Sequence, residues 1–125
     1  MPGKVYLASA LPIVLLLCGC DTRVQRASAA GSGGDPPRGA RAIARYGCGA
    51  CHTISGIPGA HGQVGPPLSG IARRLYVAGE LVNTPENLMR WVRDPTGING
   101  KTLMPNLGVT EQDALDISAY LYSLR

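Results

Sequence analysis

Apolar and polar positions divide this chain into three stretches that follow different rules. Residues 5–17 (VYLASALPIVLLL) form an almost unbroken apolar run, and residues 21–37 (DTRVQRASAAGSGGDPP) show no apolar periodicity. From residue 38 onward, apolar residues recur at helical spacing in short, separated segments. In 38–47, Ala40, Ile43, Ala44 and Gly47 fall at i, i+3, i+4 and i+7 and share one face, while Arg38, Arg41 and Arg45 take another. A second helix is predicted from Asn83-Thr84-Pro85-Glu86, which supplies a polar cap, an early proline and an early acid. Leu88, Trp91 and Val92 line one side of it until Asp94-Pro95 ends the pattern. A third opens at Thr110-Glu111-Gln112-Asp113, similar to a capping box, and sets Ala114, Ile117, Leu121 and Leu124 on one face.

The first apolar run is the right length for the core of an export signal and short for a membrane span, which needs about 20 apolar residues. It ends in Leu17-Cys18-Gly19-Cys20, which resembles a bacterial lipobox with Cys20 as the acylated residue. Cleavage after the small-x-small triplet Ala27-Ser28-Ala29 and retention of an uncleaved anchor are the two alternatives. All three carry the protein out of the cytoplasm. The organisation expected is a lipoprotein-type signal at 1–19, a flexible tether at 20–37 and a folded domain at 38–125. The protein would then sit on the periplasmic side of the bacterial inner membrane, with soluble periplasmic protein or an N-terminal membrane anchor as the other outcomes.

Composition sharpens this. Gly (17) and Pro (10) are abundant, aromatics are 5% with no Phe, and charged residues are 16% of 125. So few large apolar side chains bury little area per ordered residue, which points to a core filled partly by something other than protein. The formal net charge of +4 is spread along the chain rather than clustered with aromatics, which argues against a nucleic-acid partner. The length and these counts argue against a multidomain enzyme, a coiled coil and a nucleic-acid-binding array.

Of four cysteines, Cys18 and Cys20 belong to the export segment. The other two stand in Cys48-Gly49-Ala50-Cys51-His52, a C-x-x-C-H sequence, which is the attachment pattern for c-type haem. Two thiols add across the two vinyl groups on one edge of the porphyrin, and the adjacent imidazole becomes the proximal iron ligand. A thioredoxin-like pair would need flanking βαβ strands, which are missing. A zinc site would need two more ligands, and His61 alone remains.

At these residues the chain resembles the class I cytochrome c family, over about 38–125. The resemblance implies an all-α fold of about four or five short helices around one covalently bound haem c, held through Cys48 and Cys51. Gly65-Pro66-Pro67-Leu68 is similar to the family's Gly-Pro-x-Leu, in which the first proline's carbonyl accepts the proximal histidine's Nδ1 proton. By the same likeness, Met104-Pro105 stands in the loop that brings the sixth ligand, and the last helix crosses the first, where Ala40 and Gly47 would permit close approach. The resemblance makes His52 and Met104 the iron ligands and Cys48, Cys51, Pro66, Leu68 and Trp91 further cofactor contacts. Met89, inside a helix, reads as core filling, and His61 as an exposed loop residue. Arg73 and Arg74 are candidates for the haem propionates, and Tyr46 and Tyr76 for the cavity edge.

His/Met ligation keeps iron six-coordinate with a raised potential, which implies a one-electron carrier and not an enzyme. Its expected donors are a quinol-oxidising complex or a dehydrogenase, and its acceptor a haem–copper oxidase of a respiratory chain. The other readings are a small haem subunit of a larger dehydrogenase or oxidase, and an open-site haem enzyme or sensor. No small-molecule substrate is expected.

Overall fold

The structure, a computed structural model, describes residues 33–124. The export signal, Cys18, Cys20 and residues 20–32 of the expected tether lie outside these residues. Among the described residues the fold is four α-helices with two 3₁₀ turns and one small hairpin: α1 Pro36–Arg45, α2 Pro85–Arg93, α3 Pro95–Ile98 and α4 Glu111–Ser123. The 3₁₀ turns are Cys48–Ala50 and Ile71–Arg73, and strands β1 Tyr76–Val77 and β2 Leu81–Val82 pair antiparallel. None of the described helices is long and apolar enough to cross a membrane.

Each helix begins where a side chain replaces a missing intrahelical partner. The carboxylate of Asp35 accepts from the Arg38 amide at 2.9 Å, the Thr84 hydroxyl from Asn87 at 3.2 Å, Asp94 from Gly97 at 3.0 Å and Thr110 from Asp113 at 3.2 Å. The first three have proline in the first turn, where its absent N–H is not needed. Asp94 thus ends α2 and starts α3, which turns the chain sharply. The first helix begins at Pro36, inside the segment read as tether, because Asp35 caps it and its own amide donates to Asp116 at 2.7 Å.

Helices α1 and α4 cross in the closest packing of the molecule, with α2 against α4 beside them. The buried face of α1 is Gly39, Ala42 and Ile43, continued by half-buried Tyr46, and not the expected Ala40, Ile43, Ala44 and Gly47. Ala44 and Gly47 are exposed. The residue that permits the approach is Gly39, where an added Cβ would collide with the Asp116 carbonyl of α4. On α4, Ala114, Ile117 and Leu121 are buried as the spacing predicts, and Leu124 packs half-buried just beyond the helix. Leu88, Trp91 and Val92 of α2 complete this side of the core.

Two ion pairs bind the crossing. Asp116, 2% exposed, accepts from Arg38 Nε at 2.9 Å and Gln112 Nε2 at 3.2 Å in addition to the Asp35 amide. Burial pushes its pKa up, but these donors outweigh it and hold the carboxyl below its ordinary range. One turn earlier, Asp113 accepts from Tyr46 Oη at 2.8 Å, Thr110 Oγ1 at 2.8 Å and Arg45 at 2.8 Å, and these bonds lower its pKa.

Candidate functional site

After α1 the chain must reverse, and Gly47 takes the left-handed conformation (φ 71°) that lets it do so. The 3₁₀ turn that follows puts Cys48, Cys51 and His52 on one wall. The amides of Cys51 and His52 both donate to the Cys48 carbonyl, at 3.2 and 3.0 Å. Residues 57–68 brace this turn from behind. Gly62 donates to the Gly49 carbonyl at 3.0 Å, Gly65 to Cys51 at 2.8 Å and Leu68 to Thr53 at 2.9 Å. The packing leaves no room for side chains here: a Cβ on Gly62 would meet the Ala50 carbonyl, and one on Gly65 would strike the His52 ring.

These residues face a cavity of about 780 Å³, a size suited to a large organic cofactor. Its walls are mostly apolar and come from three of the helices: Ile43 from α1, Leu88 and Trp91 from α2, Ile117 and Leu121 from α4. Leu68, Ile71 and Val77 close another side. A large apolar hollow in the middle of a small domain is what the lean composition predicts.

The seven residues expected to bind the cofactor, Cys48, Cys51, His52, Pro66, Leu68, Trp91 and Met104, all line this one cavity. Neither Met89 nor His61 does; Met89 is half-buried against the core and His61 is exposed. Tyr46, Tyr76 and Arg74 reach the cavity, and Arg73 does not. The Arg74 guanidinium donates to the Pro67 carbonyl. Both cysteines are half-buried with no disulfide between them, and burial pushes the Cys48 thiol up.

The donor set fits a c-type haem. Nδ1 of His52 lies 2.7 Å from the Pro66 carbonyl, which can only accept, so Nδ1 carries the proton and Nε2 keeps its lone pair. Met104 is half-buried in the segment before α4, and its amide donates to Thr102 Oγ1 at 3.1 Å. Two thiols, one imidazole with a free nitrogen and one thioether therefore share a single apolar hollow. Among the described residues there is no cluster of three or more His, Cys, Asp or Glu for a free metal ion.

Gly65 of the Gly-Pro-x-Leu-like sequence is needed because the His52 ring occupies the space a side chain would take. Sequence reasoning missed other contributors. Asn99 lines the cavity and organises the segment leading to Met104, although Asn99-Gly100 reads only as a turn signal. The hairpin tip adds Ala78 and Gly79 to the lining, with Ala78 in the left-handed region at φ 55°.

The cytochrome c family model matches residues 37–125. Among characterised proteins, the chain is 35% identical over 79 residues to cytochrome c oxidase subunit 2 of Alkalihalophilus pseudofirmus. That match covers 62% of this chain but only 22% of the relative. No solved structure gives a significant match.

Proposed function

Because this chain belongs to the cytochrome c family, we propose that it is a single-electron carrier with one haem c, attached through Cys48 and Cys51 and ligated by His52 and Met104. The observation that carries this reading is the convergence of these four residues on one apolar cavity. When bound, the haem supplies a reversible one-electron couple at iron.

The chain's own groups tune and shelter that couple. The Pro66 carbonyl fixes the His52 tautomer and raises the basicity of Nε2. Met104 offers a thioether, a weak donor that favours the reduced state and raises the potential. Leu68, Trp91 and Ile117 keep the hollow apolar. With two protein ligands no coordination position is left for a substrate, so this reading assigns the protein electron transfer and no catalytic turnover. The decisive measurement is the ferric absorption spectrum. A methionine-to-iron charge-transfer band is expected, and a high-spin spectrum would instead support the open-site enzyme or sensor.

The carrier is placed outside the cytoplasm, tethered to the membrane through acylated Cys20. Its donor would be a quinol-oxidising complex or a dehydrogenase, and its acceptor a haem–copper oxidase. The likeness to an oxidase subunit supports the acceptor side. Under this reading Cys20→Ala blocks processing and leaves a slower-migrating, haem-stained precursor. A mutant released as a soluble cytochrome would favour cleavage near Ala29. The same relative, in which the matching stretch is 22% of the whole, favours a second reading: a small haem subunit within a larger complex. Purification after detergent release separates the two, since a carrier purifies alone.

A further inference from the structure

The segment that delivers Met104 has no regular structure between the end of α3 at Ile98 and the start of α4 at Glu111. Three bonds from one residue organise its first half. The Asn99 carbonyl accepts from the Thr102 amide at 3.0 Å, and its side-chain Oδ1 accepts from Lys101 at 2.9 Å. Its Nδ2 donates across to Glu80 Oε1 at 2.9 Å. The last bond differs in kind, since Glu80 belongs to the tip of the β1–β2 hairpin, 19 residues away in sequence. Thr102, fixed by Asn99, then accepts the Met104 amide at 3.1 Å. A continuous hydrogen-bonded path thus runs from the hairpin tip through Asn99 and Thr102 to Met104.

The Asn99–Glu80 link stands beside the cavity, which Asn99 lines and Glu80 does not. Asn99, Thr102 and Met104 line it on one side, and Ala78 and Gly79 of the hairpin on the other. Glu80 is fixed in turn, its amide donating to the Val77 carbonyl at 3.0 Å. Leu103, Met104 and Leu107 of this segment face the cavity, and its buried apolar anchor, Val109, lies past Met104 near the start of α4. Directional polar bonds hold the half that precedes Met104.

We infer that Asn99 and Glu80 are positioning residues for the distal ligand: their hydrogen bond latches the Met104 segment to the hairpin and sets how readily the thioether leaves the iron. The inference rests on Met104 being the sixth ligand. A methionine on a loosened segment competes less well with an external ligand, because the segment gains conformational freedom when the thioether is released. The proximal side, held by Pro66 and Gly65, is untouched by the latch.

The test is imidazole binding to the purified ferric holoprotein, followed by loss of the methionine charge-transfer band. Asn99→Ala and Glu80→Ala are expected to bind imidazole about three- to tenfold more tightly than wild type, the scale of one or two net hydrogen bonds. Glu80→Gln keeps an acceptor oxygen and should return to wild-type affinity. Arg90→Ala, which removes the exposed bond to Asn87, should leave affinity unchanged and controls for general loosening. Glu80 is exposed in a turn, so Glu80→Ala keeps the test valid if Asn99→Ala folds poorly. Wild-type affinity in both alanine variants would overturn the latch, as would equal tightening in Arg90→Ala. A wild-type protein with no charge-transfer band would instead overturn the assignment of Met104.

Discussion

Gly39 of α1 lies so close to Asp116 of α4 that the Asp116 carbonyl occupies the place of a side chain on Gly39. The helix crossing therefore depends on a missing methyl group. Gly39→Ala should force the helices apart and cost about 3 kcal/mol, the upper end of ordinary overpacking. Denaturant titration of the haem-loaded variant measures this. Gly47→Ala is the contrast: nothing lies near its added Cβ, and only the left-handed backbone resists it.

Asp116 makes the crossing sensitive to acid. Its folded pKa is depressed, so the stability it contributes is complete above the ordinary aspartate pKa of about 3.9 and is lost as pH falls through the lower folded value. Asp116→Asn should destabilise the holoprotein by about 2 kcal/mol at pH 7, the scale of a hydrogen bond to a charged group. The gap between variant and wild type should close below about pH 4. Asp113, depressed by Tyr46, Thr110 and Arg45, leaves a smaller acid slope in the variant. Guanidinium midpoints at pH 7 and pH 3 check both points.

The cavity separates the three candidate distal ligands. Met104→Ala should abolish the charge-transfer band, lower the reduction potential and let the ferrous protein bind carbon monoxide. Met89→Ala and His61→Ala should do none of these, since neither residue reaches the cavity. Loss of the band in Met89→Ala alone would reassign the ligand. Redox titration with the optical spectrum is sufficient.

Haem should be required for folding. Ile43, Leu88, Trp91, Ile117 and Leu121 face this hollow of about 780 Å³ instead of packing fully on one another, so without haem much of the core's apolar surface meets water. Protein expressed without the attachment machinery should show no cooperative thermal transition by circular dichroism. A cooperative melt with native helicity would refute this.

Proximal geometry should be equally intolerant. Gly65→Ala places a methyl group against the His52 ring and should remove most of the holoprotein yield, measured as haem per polypeptide. Pro66 should tolerate substitution better, because its backbone carbonyl is the acceptor for His52.

Three of the four helices and the cavity residues are legible because their signals are local; α3 is not, since Asp94-Pro95 reads only as the end of α2. Thr84-Pro85 and Thr110 to Asp113 start helices through contacts within one turn, and Cys48 to His52 carries its chemistry in five consecutive residues. What escaped depends on partners far along the chain. Asp35-Pro36-Pro37 looked like tether because its neighbours are Gly, Ser and Ala, yet its amide is claimed by Asp116, 81 residues later. The buried face of α1 had two registers of equal spacing, and only contact with Asp116 selects Gly39 over Ala40. Two-residue strands are too short for any alternation to show, so the β1–β2 hairpin and the Glu80–Asn99 bond were invisible.

The clasp at Asp116 also decides where mechanical load enters the domain. Residues 1–32 join it at the start of α1, where Asp35 and Arg38 are both gripped by Asp116. Ile43 near the far end of this ten-residue helix, and Tyr46 and Gly47 just past it, line the cavity; the helix rises about 15 Å over its length. A pull on the N-terminal segment is therefore resisted as shear between two crossed helices, by an ion pair and a backbone bond in parallel. On α1 the strain is taken up about one to two helical turns before Ile43, the first residue of that helix to face the cavity.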